Sequence, residues 1–245
     1  MKNATKSCLI IGAGPGLGAS LARQFAREGL AVCITRRPRH MEALEGLAQE
    51  IEADGGAAHP FGVDARNDEE MIALFDQVER EIGPLDVVVF NIGANVFFPV
   101  TETTARVYSK VWEMAAFAGF VAGREAARVM APRGAGTILF TGATASQRGA
   151  AGFSAFAGAK HALRALAQSM ARELGPKGVH VAHVVIDGAI DGAFTRENLP
   201  DFDEKLARDE ILKPDDIAAN YVWLWKQPKS AWTHEMDVRP WSEKW

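Results

Sequence analysis

The residues of this chain that could do chemistry fall into a few groups. Between a short apolar run and a helical stretch lies Gly12-Ala13-Gly14-Pro15-Gly16-Leu17-Gly18. Its glycines let the backbone turn sharply and approach a pyrophosphate. The helix beyond supplies free N–H groups and a partial positive charge. Arg36 and Arg37 close the second apolar run, offering planar guanidinium forks suited to a phosphate; a solvated basic turn continued by Arg39 is the alternative. Phe156 and Lys160 lie in Phe153-Ser154-Ala155-Phe156-Ala157-Gly158-Ala159-Lys160. One helical turn puts that phenyl ring and that ammonium on the same face. Asp187 follows a β-branched run and Asp191 lies four residues on. A carboxyl raised in pKa by burial can act as an acid, and a turn or capping role is the alternative for both.

These groups need a scaffold, and the chain is long enough to build one. Its 245 residues are 48% hydrophobic, with a net charge of −4 and a pI near 5.9. That balance gives no basic footprint for nucleic acid or an anionic membrane. The apolar run from Cys8 to Ile11 breaks at Gly12, too soon for a signal peptide, and no stretch approaches a membrane span. Cys8 and Cys33 fall inside strand-like runs without metal-ligand spacing, so buried free thiols in a reducing compartment and no metal site are expected. The expected location is cytoplasmic.

Strand and helix patterns alternate throughout. Strands are expected at 7–11, 31–35, 57–63, 85–90, 137–141, 179–186 and 235–238. Helices are expected at 17–28, 40–54, from 68, about 106–130, to 174 from the Phe156 segment, and from Pro214. The run Leu85-Asp86-Val87-Val88-Val89-Phe90 reads as a parallel strand covered on both faces. Without linker or repeat, the pattern predicts one α/β domain with a doubly wound parallel sheet, a Rossmann fold over residues 1–245. Ligands of such sheets sit outside the carboxyl ends of the strands. The charged segment 187–213 leaves from such an end, as a mobile substrate lid or a solvated loop.

The spacing Gly12, Gly16, Gly18, with leucine at position 17, resembles that of the short-chain dehydrogenases/reductases. Val63-Asp64-Ala65 is similar to the family's element that sets an aspartate against adenine, and Asn91-Ile92-Gly93 to its Asn-Ala-Gly element. Phe156 and Lys160 stand at its Tyr-x-x-x-Lys pair. The resemblance implies a nicotinamide cofactor held by Gly12, Gly14, Gly16, Leu17, Gly18, Asp64, Asn91, Gly93 and Lys160. With no carboxylate at Thr35-Arg36-Arg37 to bind the ribose hydroxyls, Arg36 and Arg37 favour NADP(H), with NAD(H) possible. It implies a small carbonyl or alcohol substrate and a homodimer or homotetramer built on the two long helices.

The family's catalytic groups match poorly. Phe156 replaces the tyrosine acid/base, Ala143 the serine that orients the carbonyl, and Ala116 the asparagine of the relay; Lys160 alone is kept. This combination resembles an atypical subgroup of the family. In the family the lysine binds the nicotinamide ribose, so Lys160 is either that ligand only or also a chemical group. Asp187 is expected to face the nicotinamide side, with Thr144, Ser146 and Ser154 as nearby hydroxyls; Tyr108 and Tyr221 lack the spacing to replace the phenol. His161, His180 and His183 read as packing residues. The tryptophans from Trp223 to Trp245 suit either core or interface. Two functions follow: an NADP(H)-dependent oxidoreductase with a degenerate tetrad, or a catalytically inactive NADP(H)-binding sensor or partner subunit.

Overall fold

The computed structural model describes residues 6–244. Seven parallel strands form one sheet in the order β3-β2-β1-β4-β5-β6-β7. They are β1 (Ser7–Ile11), β2 (Ala31–Arg36), β3 (Ala57–Gly62), β4 (Leu85–Phe90), β5 (Thr137–Thr141), β6 (His180–Ile186) and β7 (Glu235–Val238).

Alternating side chains split the core in two, as the two-residue period of a strand requires. Cys8, Ile10, Val87 and Val89 face α1 (Leu17–Arg27), α2 (Met41–Ala53) and α9 (Pro214–Trp225). Leu9, Ile11, Val88 and Phe90 face α3 (Asp68–Glu81), α5 (Ala118–Met130) and α6 (Ser154–Leu174). Both faces are covered, which is why the strands read as near-continuous apolar runs. Burial raises the pKa of both thiols, that of Cys33 to about 12, so both are inert packing groups.

Two elements differ from the sequence expectation. The long helix before β5 is interrupted: α4 (Ala105–Trp112) passes into a π-helical turn at Glu113–Phe117 before α5. A wide turn of this kind leaves no mark on apolar periodicity. The aperiodic segment after β6 carries two short helices, α7 (Ala193–Asn198) and α8 (Phe202–Ala207). Its ends meet through an Ile190–Leu212 bridge, with Asp191 N–H donating to Leu212 O at 2.8 Å and Leu212 N–H to Ala189 O at 2.9 Å.

Helix α6 is anchored tightly against α5. A Cβ added at Gly119 would lie 2.4 Å from Leu163 Cδ1, and one at Gly123 2.8 Å from Met170 Sδ. The helix ends in Gly175-Pro176, where proline cannot continue it. No helix among the described residues is long and apolar enough to cross a membrane.

Candidate active site

The carboxyl ends of β1, β4, β5 and β6 open onto one cleft, at the point where the strand order reverses between β1 and β4. Its first half is made by backbone. The amides of Gly12 and Ala13 both donate to Thr35 O, at 3.1 and 3.0 Å. Gly12 has φ +101°, and a Cβ there would sit 2.8 Å from Asn91 O; at Gly18 it would sit 2.4 Å from Gly12 O. Asn91 closes the turn by donating from Nδ2 to Gly12 O at 3.1 Å. Where Gly14, Gly16 and Gly93 lack a side chain, by contrast, nothing stands closer than 3.9 Å to the missing Cβ. That bare groove, leading to the start of α1 with no side chain capping it, fits the diphosphate of a dinucleotide.

Beside it lies a recess of about 270 Å³ walled by Gly12, Gly14, Arg36, Arg37, Asp64 and Asn91. Burial, together with Arg37 and Arg39, lowers the pKa of Arg36. Cations crowded without a carboxylate between them invite an anion. Asp64 is held below the usual carboxylate range by its hydrogen bond from Arg66, with Nη2 at 2.5 Å from Oδ2.

The second half is a cavity of about 610 Å³, sharing Asn91, Ile92 and Gly93 with the first. Leu17, Ala143, Phe153, Phe156 and Lys160 lie on its wall. Asn95 is there too, beside Ala94, which is held at φ +115°. Strain of that kind collects at ligand clamps.

Phe156 is 9% exposed and sits among alanines, Ala116, Ala155, Ala157 and Ala159 included. One turn later Lys160 Nζ lies 5.9 Å from the ring centroid and donates to Thr141 O at 2.8 Å and Ile92 O at 3.1 Å. The ammonium is thus buried against carbonyls, without a carboxylate, and burial lowers its pKa to about 8. It is the clearest group here with a proton near neutral pH.

The nearby hydroxyls are engaged elsewhere. Ser146 Oγ accepts from Ala143 N–H at 3.1 Å, and Thr144 Oγ1 donates to Asp187 Oδ1 at 2.5 Å. Tyr221 lies in the core on the far face of the sheet, 2.8 Å from Thr141 Oγ1, and burial raises its pKa. Tyr108 is 46% exposed and off the cavity wall.

Asp187 requires a correction. It is 1% exposed but does not line the cavity. Its carboxylate turns behind the wall, accepting from Thr144 and from Arg148 Nη2 at 3.2 and 3.3 Å, with Arg239 Nη1 3.9 Å away. In that ion pair it serves as an acceptor, not as a cavity-facing acid. Asp191 is likewise taken by Arg196, at 2.9 Å through both oxygens.

The histidines pack. His161 contacts Ala157 O at 2.9 Å, His180 stacks on Trp232, and His183 meets Glu235 at 3.0 Å. Burial pushes His183 down to about 4. No cluster among the described residues could hold a metal. Of the late tryptophans, Trp225 donates to Asp86 at 2.8 Å, Trp223 and Trp241 are exposed, and Trp245 lies outside the described residues.

Sequence reasoning missed Arg148, Phe153, Phe194 and Asn198 on the cavity wall. Their only signal was position, in segments that follow the carboxyl ends of strands, Phe194 and Asn198 falling on α7 within the expected lid segment.

Residues 6–201 match the short chain dehydrogenase family. The crystal structure of a short-chain dehydrogenase from Rhodopseudomonas palustris is 48% identical, covering 96% of this chain and 99% of that one, with a TM-score of 0.82. A metagenomic short-chain oxidoreductase solved in complex with NADP is 26% identical, covers 97% of each chain and has a TM-score of 0.81. The cyclic-di-GMP-binding biofilm dispersal mediator protein of Escherichia coli strain K12 is 34% identical over 89% of each chain. The glycine turn, the parallel sheet and a match over more than half its length agree: the chain belongs to the short-chain dehydrogenase family.

Proposed function

We propose that this oxidoreductase uses NADP(H) to interconvert a small carbonyl compound and its alcohol, with Lys160 exchanging the proton usually handled by the tyrosine. The observation that carries this is Lys160 itself. Its ammonium stands on the cavity wall, held by Thr141 O and Ile92 O, with burial easing its proton toward release near pH 8. When bound, the nicotinamide supplies or accepts the hydride. In the reducing direction Lys160 gives its proton to the forming alkoxide; in the oxidising direction it takes the hydroxyl proton back. Phe156 keeps water from that proton but offers none of its own. With Lys160 as the general acid, its removal should cost ~10²–10⁴ in rate.

The cofactor choice rests on Arg36 and Arg37, which would hold a 2′-phosphate in the basic recess, with Asp64 on its far wall. The amides at the start of α1 would take the diphosphate, and Lys160 would also reach the ribose. The segment 187–213 acts as the substrate lid, since Phe194, Thr195, Asn198 and Leu199 of its first helical part face the cavity. Exposed Tyr108, Trp112 and Phe120 on α4 and α5 supply the contact face of a homodimer or homotetramer.

Loss of NADPH absorbance with a panel of aldehydes and ketones tests the reaction. The protonated amine is the active form for reduction. The rate should therefore hold below pH 8 and fall as pH rises through about 8. Lys160→Ala should lower turnover more than NADPH affinity. Tight NADPH binding with no oxidation across the panel would count for the non-catalytic cofactor-binding alternative.

A further inference from the structure

The cavity holds a second cation that proton exchange does not use. Arg148 lies on the loop after β5, and with Lys160 it is one of two charged side chains on the wall; no Asp or Glu side chain lines it among the described residues. Its guanidinium is held in place from behind. Nη2 donates to both oxygens of the buried Asp187, which is anchored in turn by Thr144 and neighboured by Arg239. Arg239 is itself paired with Asp237, so that among the described residues Asp187 shares its charge with Arg148 and a guanidinium that has a carboxylate of its own. Lys160, which only carbonyls accept from, leaves the cavity with net positive charge.

The donors that Asp187 does not take are the functional part of Arg148. Nε and Nη1 make no hydrogen bond among the described residues, and the side chain, which lines the cavity, is 39% exposed. Phe153, Phe156, Ile190, Phe194 and Leu199 supply an apolar surround. An apolar cavity with a few fixed polar groups orients its ligand through those groups. A guanidinium already held in place loses little freedom on binding, and it matches a carboxylate in shape and charge.

We infer that Arg148 receives a carboxylate on the substrate, so that this site takes an oxo acid or hydroxy acid with an apolar body. This rests on the proposed hydride transfer for its reacting group, but the anion site can be tested without turnover.

Calorimetry on the NADPH-loaded protein would compare unreactive acids with their amides, cinnamate with cinnamamide and phenylpropionate with its amide. The acids should bind about ten-fold more tightly. Arg148→Gln should erase the difference while NADPH affinity stays unchanged. The charge-balanced pair Arg148→Gln with Asp187→Asn should erase it too, which guards against misfolding from an unpaired buried carboxylate. Turnover of phenylpyruvate against its methyl ester should show the same preference in KM, with kcat less affected. Equal binding of acid and amide, or a preference that survives in the double variant, overturns the proposal. Acid preference in binding without any NADPH oxidation would leave the anion site standing and remove the hydride-transfer reading. Oxidation with acid and ester used equally would do the reverse.

Discussion

The two halves of the cleft are built under different constraints. Around Gly12 and Gly18 the limit is backbone on backbone: a single added carbon would strike Asn91 O or Gly12 O. Around Ala143, Phe156 and Lys160 the limit is side-chain chemistry on a rigid frame, with Phe156 and Lys160 carried one turn apart on an unbroken helix. Geometry of the first kind admits no added carbon at Gly12 or Gly18, whatever the substrate. Chemistry of the second kind can be exchanged one residue at a time. Kinship read from the glycine turn therefore says little about the proton path.

The sharpest way to break this comparison is Gly12→Val. With φ at +101° and backbone 2.8 Å from the new Cβ, strain of order 1–3 kcal/mol plus the clash should lower Tm and weaken NADPH binding by about a hundred-fold. Unchanged binding would show that the turn is not sterically forced. On the other half, Phe156→Tyr combined with Ala143→Ser should raise reductase turnover by ~10²-fold with no loss of stability. A double variant no faster than the parent would mean that the cavity, and not only its proton donor, has diverged. A smaller change is expected for Arg36→Ala with Arg37→Ala, which should cut the preference for NADPH over NADH by about ten-fold or more; equal loss with both cofactors would place those guanidiniums outside the 2′-phosphate site. Least of all, Tyr221→Phe should cost about 1 kcal/mol in denaturant unfolding, leaving cofactor affinity and turnover untouched. A fall in turnover would mean that the Tyr221–Thr141 hydrogen bond helps to position Thr141 O, which accepts from Lys160.

How much of this was legible in the sequence follows the same division. The sheet could be read because both its faces are buried, so each strand declares itself as an apolar run. The glycine turn could be read because backbone constraints act between near neighbours. Asp187 could not, since its partners lie 39 residues before it at Arg148 and as far along the chain as Arg239 on β7's exit. A buried carboxylate looks the same in sequence whether it faces a cavity or two guanidiniums. The π-helical turn at Glu113–Phe117 and the six-residue helices α7 and α8 were equally silent, being too short for a period to register. Phe194 joined the cavity wall through one of them.

The Ile190–Leu212 bridge, closed on either side by the Asp191 and Leu212 amides, has a consequence for how this enzyme can change. It ties the two ends of the helical segment together at the sheet's rim, so what lies between is a loop whose closure is already met. Lengthening such a loop costs little, about 0.6 kcal/mol for each doubling. The residues between the two amides can then be replaced, extended or shortened while the strands beneath keep their register. The proposed lid is in this sense a cassette, and new cavity walls can be fitted at the neck without reopening the core.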